Sequence, residues 1–257
     1  MKVDIFGVKI DNLKEVEVVE LVGQKLVSKE KFWIATPNPE MVVEAQKDKN
    51  FREILNSANL AIPDGQGLLW AAKFLRRGEL LERVTGTDLM AKLCEQAAKR
   101  NWKVFFLGGA VGVAIKALDV FKKRFPGLEG QASEGPQELR ITNYELRIDD
   151  PERDKEAKEK INQFTPDLLF VGFGMGKQER WLKENLNSLK IGGALVVGGA
   201  FDFYSGKIKR APRWFREAGF EWLWRLACQP WRLRRQTNLL RFIWLVMRKR
   251  LEIRNRR

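Results

Sequence analysis

The chain has 257 residues, 44% of them hydrophobic, enough for an α/β domain with a sizeable core, so disorder throughout is excluded. It holds no histidine and two distant cysteines, Cys94 and Cys228, which removes zinc-histidine sites and Ser-His or Cys-His nucleophile pairs. The net charge of +14 is unevenly placed: residues 207–257 carry 16 basic and 3 acidic side chains, against 31 and 30 in residues 1–206.

In chain order, MKVDIFGVKI lacks the basic-then-apolar pattern of a signal peptide, and no later apolar run approaches the ~20 residues that span a bilayer. A cytoplasmic location is the expectation. Apolar, β-branched or aromatic runs recur at KVDIFGVKI, FWIATPN, NLAIPDG, WKVFFLGG, DLLFVGFG and GALVVGGA, most of them followed by a helical pattern. VVEAQKDKNFREILNSA and TDLMAKLCEQAAKRN repeat apolar residues at three- and four-residue steps, as amphipathic helices do. This alternation predicts an α/β fold: a Rossmann-like, mainly parallel sheet covered by helices. Residues 138–149, ELRITNYELRID, repeat ELRI and read as a loop insertion, a hairpin or an irregular surface loop without chemistry. The charged helical run DDPERDKEAKEKINQF follows as a solvated face.

Residues 207–257 read as a separate basic helical appendage to a core of residues 1–206. The appendage holds Trp214, Trp222, Trp224, Trp231 and Trp244, and two helical segments divided at Pro230. Its LLRFIWLVM run, flanked by arginines, is too short to span a membrane and suits a helix lying among anionic headgroups. Packing onto the body or a homo-oligomer contact is the alternative for the same residues.

The stretch AIPDGQGLLW wedges an acid between a proline and a glycine at the end of an apolar run. Pro63 stops the strand, so Asp64 sits at the strand's end, where it can cap the helix expected over 66–74 or face a ligand. Ligands of open α/β sheets bind at those strand ends, so a catalytic acid fits there too.

Several stretches together resemble the WecG/TagA/CpsF glycosyltransferases: TPNPEMVVEAQ, IPDGQGLLWAA, ERVTGTDLM, FFLGG, GFGMGKQERW, GGAFDFYSGKIKRAPRW and EWLWRL. Gly176, where the family usually has proline, and the ELRI repeat are the two departures. The resemblance implies inverting, metal-independent transfer of N-acetylmannosamine from a UDP donor to undecaprenyl-diphosphate-linked N-acetylglucosamine, without a cofactor, by a peripheral protein on the cytoplasmic face of the plasma membrane. It implies Asp64 as the base. Thr36, Asn38, Gly65, Gly86, Thr87, Asp88, Gly108, Gly109, Gln178, Glu179 and Gly199 become candidate substrate contacts, and Arg225, Arg232 and Arg235 candidate ligands of a diphosphate. Local readings stand beside these: Thr36 and Asn38 as turn formers, Gly86 to Asp88 as a cap for a helix from Leu89, Gly108 and Gly109 as a plain βα turn, and the arginines as a headgroup face. Another UDP-sugar donor fits the same residues.

Two other classes fit worse. The basic, Trp-rich tail suits nucleic acid, but no RNA- or DNA-binding motif accompanies it. FFLGGAVGVA lacks the full GxGxxG and distant acid of a dinucleotide enzyme.

Overall fold

The computed structural model describes residues 2–217, 219–230 and 233–255, with the side chains of 217 and 234–236 left aside. Its centre is a six-stranded, all-parallel sheet in the order β4-β3-β10-β9-β5-β6. The strands are β3 (Phe32–Ala35), β4 (Leu60–Ala61), β5 (Val104–Gly108), β6 (Gly130–Ser133), β9 (Leu168–Gly172) and β10 (Gly193–Val196). Five of the six apolar runs supply strands of this sheet. The sixth, KVDIFGVKI, instead folds on itself as an antiparallel hairpin of β1 (Lys2–Ile5) and β2 (Val8–Asp11), because Phe6 and Gly7 both take positive φ and close a tight turn. Its place in the sheet goes to β6, whose GQAS carries little apolar signal and pairs with β5 at the edge.

Side chains alternate across the sheet, so Phe105, Leu107, Leu169 and Val171 join one core and Val104, Phe106, Leu168 and Phe170 the other. The first core is covered by α2 (Pro39–Lys47), α3 (Lys49–Asn56), α4 (Gln66–Phe74), α7 (Pro151–Phe164) and α8 (Lys177–Asn185). The second lies under α1 (Glu15–Val27), α5 (Gly86–Arg100), α6 (Val113–Arg124) and α9 (Ala200–Tyr204). These strands, buried on both faces, read as continuous apolar runs for that reason.

The ELRI repeat is a hairpin of β7 (Leu139–Thr142) and β8 (Glu145–Ile148), apart from the sheet. The described residues after Gly206 form three helices where two were expected: α10 (Arg213–Glu217), α11 (Glu221–Cys228) and α12 (Leu233–Asn255). Gly219, at φ +81, separates the first two. The third packs on α2 and α4, with Phe242 and Val246 fully buried and Phe242 edge-on to Phe6 at 6.4 Å. Its Leu240, Ile243, Trp244, Met247 and Leu251 stay exposed. No helix among the described residues is long and apolar enough to cross a membrane.

Candidate active site

A cleft of about 570 Å³ opens at the carboxyl ends of β4, β3, β10 and β9, where the chain runs outward from β3 to β4 but returns to the middle at β10. This is the switch point at which α/β sheets hold ligands. Its polar floor comes from loops that follow the strands, and its far side comes from α11 and α12.

Asp64 lies on that floor. The strand before it is only two residues long, and its position is fixed by neighbours: the Ala61 amide donates to Asp11 Oδ2 at 2.8 Å, and the Asp64 amide donates to the Pro37 carbonyl at 2.8 Å. The Asp64 side chain does not cap α4. Gly65 holds the N-cap position, with φ +144, a conformation that side chains rarely adopt and that would also set a Cβ 3.1 Å from Pro39. The carboxylate turns instead toward α5 and accepts the Gly86 amide at 3.4 Å. It remains half-buried and open to the cleft, yet its surroundings are protein on most sides. Desolvation, with help from the Glu221 carboxylate, pushes its pKa up to about 6, against the pull of Arg83 and the Gly86 amide. An acid so tuned takes a proton readily near neutral pH.

Of the other expected contacts, Thr36, Asn38, Gly65, Thr87, Gln178, Gly199 and Arg225 line the same cleft. Asn38 also caps α2, accepting the Met41 amide at 3.0 Å. Gly86 stands just behind Asp64 as the first residue of α5, whose cap is Thr85, so the helix starts three residues before Leu89. Asp88 turns away from the cleft and is clamped by Arg210 at 2.6 and 2.7 Å and by the Thr85 hydroxyl at 2.7 Å. Its pKa is lowered by these donors despite the opposing effect of burial. Gly108 ends β5 and Gly109 follows it, with the Gly109 amide donating to the Gly172 carbonyl at 3.0 Å, and neither lines the cleft.

Glu179 is fully buried and bonds inward: it accepts the Gly176 amide at 2.6 Å and Gln178 Nε2 at 2.8 Å. Burial raises its pKa against those donors. Gln178 Oε1 in turn accepts the Gly198 amide at 3.1 Å, which ties the start of α8 to the loop after β10. Arg225 lies over the Phe203 ring at 5.0 Å and against Gly199, where a Cβ would meet its Nη2 at 1.9 Å. Arg232 lies outside the described residues; Arg235 is on α12, and its side chain is not among those described.

Sequence reasoning missed Arg83, Glu221 and Trp70, all of which line the cleft. Glu221 is held by Arg210 at 3.1 Å and Arg83 at 3.9 Å, so a chain of ion pairs links the cleft to the tail. Arg83 and Glu221 sit inside the stretches ERVTGTDLM and EWLWRL, where charge amid apolar residues was the available signal. Among the described residues, no group of three or more His, Cys, Asp or Glu side chains could hold a metal ion.

A model of the Glycosyl transferase WecG/TagA/CpsF family matches residues 3–256. The chain belongs to this family. It is a glycosyltransferase. One relative, from Bacillus spizizenii, is 32% identical over 216 residues, covering 84% of this chain and 79% of its own. Another, from Staphylococcus aureus, is 29% identical over 254 residues, covering 98% of this chain and 94% of its own. Both are named N-acetylglucosaminyldiphosphoundecaprenol N-acetyl-beta-D-mannosaminyltransferase. The glycosyltransferase thus carries its match through the tail as well as the sheet, and the cleft is walled by both.

Proposed function

We propose that this glycosyltransferase moves N-acetylmannosamine from UDP-N-acetylmannosamine to undecaprenyl-diphosphate-linked N-acetylglucosamine, with inversion and without a metal, in wall teichoic acid or surface polysaccharide assembly. The observation that carries the mechanism is Asp64, a carboxylate on the cleft floor with its pKa near 6. Ionised Asp64 takes the proton of the acceptor hydroxyl as that oxygen bonds to the anomeric carbon and the bond to the UDP oxygen breaks. A single displacement of this kind inverts the carbon. Glu221, the nearby acid, is held by Arg210 and Arg83 and is poorly placed to act as a second nucleophile. Arg83 and Arg225 supply positive charge for the departing diphosphate, in the role a metal would otherwise take.

The two sides of the cleft suit a lipid-linked acceptor. Thr36, Asp64, Arg83 and Gln178 make a polar floor, while Trp70, Leu239, Phe242 and Ile243 make an apolar wall. An undecaprenyl chain leaves a bilayer at a cost of about 0.8 kcal/mol per methylene, so the enzyme has to come to the membrane. Residues 207–257, with 16 basic and 3 acidic side chains and the exposed stripe of α12, are the surface proposed to dock on anionic lipid at the cytoplasmic face.

Asp64→Asn tests the reading. The amide keeps the shape but accepts no proton, so transfer falls by roughly 10²- to 10⁴-fold while uridine diphosphate still binds. Near-normal turnover would remove Asp64 from the chemistry. A panel of UDP-sugars with the lipid-linked acceptor, run with and without EDTA, identifies the donor, and activity should persist in EDTA.

A further inference from the structure

The hairpin of β7 and β8 does not line the cleft, yet it holds the loop that does. Asn143 and Tyr144, at φ 51° and 66°, form a two-residue turn that leaves the Tyr144 carbonyl accepting Arg180 Nε at 3.1 Å. The rest of the buried Arg180 guanidinium is also committed: Nη1 donates to the Gly176 carbonyl at 2.8 Å, Nη2 pairs with Asp48, and the group lies 4.9 Å from the Phe51 ring centre. Ile141 covers Gly176, where a Cβ would stand 2.9 Å from Ile141 Cδ1.

From Gly176 the contacts run into the cleft. Its amide is accepted by Glu179, Glu179 accepts from Gln178, and Gln178 accepts from Gly198, at 2.6, 2.8 and 3.1 Å. Gly174, Met175, Gln178 and Gly198 all line the cleft. A loop with glycines at 172, 174 and 176 loses much backbone freedom when it closes on a ligand, and whatever orders it beforehand removes that cost from binding.

We propose that the hairpin of residues 139–148 is a positioning element for the nucleotide-sugar: it fixes the 174–178 loop, and through Gln178 the turn at Gly198, in the conformation that receives the donor. This rests on the reading of the cleft as a UDP-sugar site. The insertion therefore acts from outside the cleft, through Arg180 and Gly176.

The test is donor affinity, measured by titrating the full chain with uridine diphosphate and by donor KM. Two changes weaken or remove this hold: Ile141→Gly takes away the cover over Gly176 and leaves the Tyr144 carbonyl bond, and replacement of residues 139–148 by two glycines joining Glu138 to Asp149, whose carbonyl and amide are already bonded at 2.9 Å, takes away both. Both should raise donor Kd and KM by about five- to tenfold with kcat within about twofold. Ile141→Val should restore the parental KM, and Arg140→Ala, which breaks only an exposed ion pair with Asp149, should leave it unchanged. A purely structural hairpin would lower the melting temperature and leave donor Kd alone; that result overturns the proposal. Should the excised chain fail to fold, the Ile141→Gly and Ile141→Val pair decides by the same readout. If the full chain binds no uridine diphosphate, the functional reading fails and this inference with it, whereas equal binding by parent and variants overturns the positioning role alone.

Discussion

The two walls of the cleft are built in opposite ways. On the sheet side, the first turn of α8 after Lys177 turns its polar side chains into the protein: Gln178, Glu179 and Arg180 are buried and bonded, and Trp181 Nε1 donates to Asp154 at 2.6 Å. On the tail side, α11 has no buried residue, and α12 seats Phe242 and Val246 while leaving a stripe of large apolar side chains exposed. A floor bonded throughout holds its geometry, whereas the tail wall rests on two buried apolar side chains and on the ion pairs of Arg210 with Asp88 and Glu221. The contrast suits the proposed reaction, in which one substrate is soluble and the other stays in a lipid layer.

The largest effect should come from removing the tail wall. Ending the chain after Gly206 deletes Arg225, Glu221, the Arg210 clamp on Asp88 and the Phe242 and Val246 anchors. Transfer to the lipid acceptor should drop by more than about 10³-fold, and binding to anionic liposomes should vanish. The body keeps its sheet but loses roughly 3 to 5 kcal/mol of stability with the two buried side chains, readable as a lower denaturant midpoint. Equal transfer by the truncated and full chains would erase the comparison.

A single change on the rigid side comes next. Arg180→Met leaves Asp48 buried without its partner and should cost about 3 to 5 kcal/mol in urea unfolding. A loss below about 1 kcal/mol would mean that the floor is not held by this network.

Arg225→Ala should lower kcat by about 10²-fold with liposome binding nearly intact, since one charge of the tail contributes about 1 kcal/mol to adhesion. Proportional loss of both would make Arg225 part of the anchor only.

The smallest effect, on pH dependence, reports whether the two walls meet. As the proposed base, Asp64 would act only when ionised, so kcat/KM should fall as the pH drops below about 6. Glu221, on the tail side, helps to raise that value, so Glu221→Gln should move the acid limb to lower pH. An unmoved limb would mean that the tail stands away from Asp64 during turnover. The raised pKa also makes Asp64 a cost to folding that is complete above its folded value and fades as the pH falls toward the ordinary carboxylate range. Asp64→Asn should accordingly melt higher than the parent at neutral pH while losing transfer.

The alternation of apolar runs with helical periods determined the parallel α/β class, because strands covered on both faces must be apolar throughout and helices must be amphipathic. Pro63 and Gly65 likewise determined that Asp64 ends a strand, since neither residue continues one. Ordered motifs identified the family over nearly the whole chain. Local pattern misread KVDIFGVKI as a sheet strand, where the turn at Phe6 and Gly7 folds it on itself, and passed over GQAS, because a strand's partner can be set by distant residues: Val104 pairs with Gly130. It also could not separate Asp88 and Glu179, spent on Arg210 and Gly176, from Asp64, which faces the cleft. All three are carboxylates at helix starts in the sequence. Asp88 is satisfied by Arg210, 122 residues along the chain, and Asp64 turns toward the Gly86 amide, 22 residues along, so these two are told apart only when the sheet and the tail come together, whereas Glu179 is closed off within its own turn by Gly176 and Gln178.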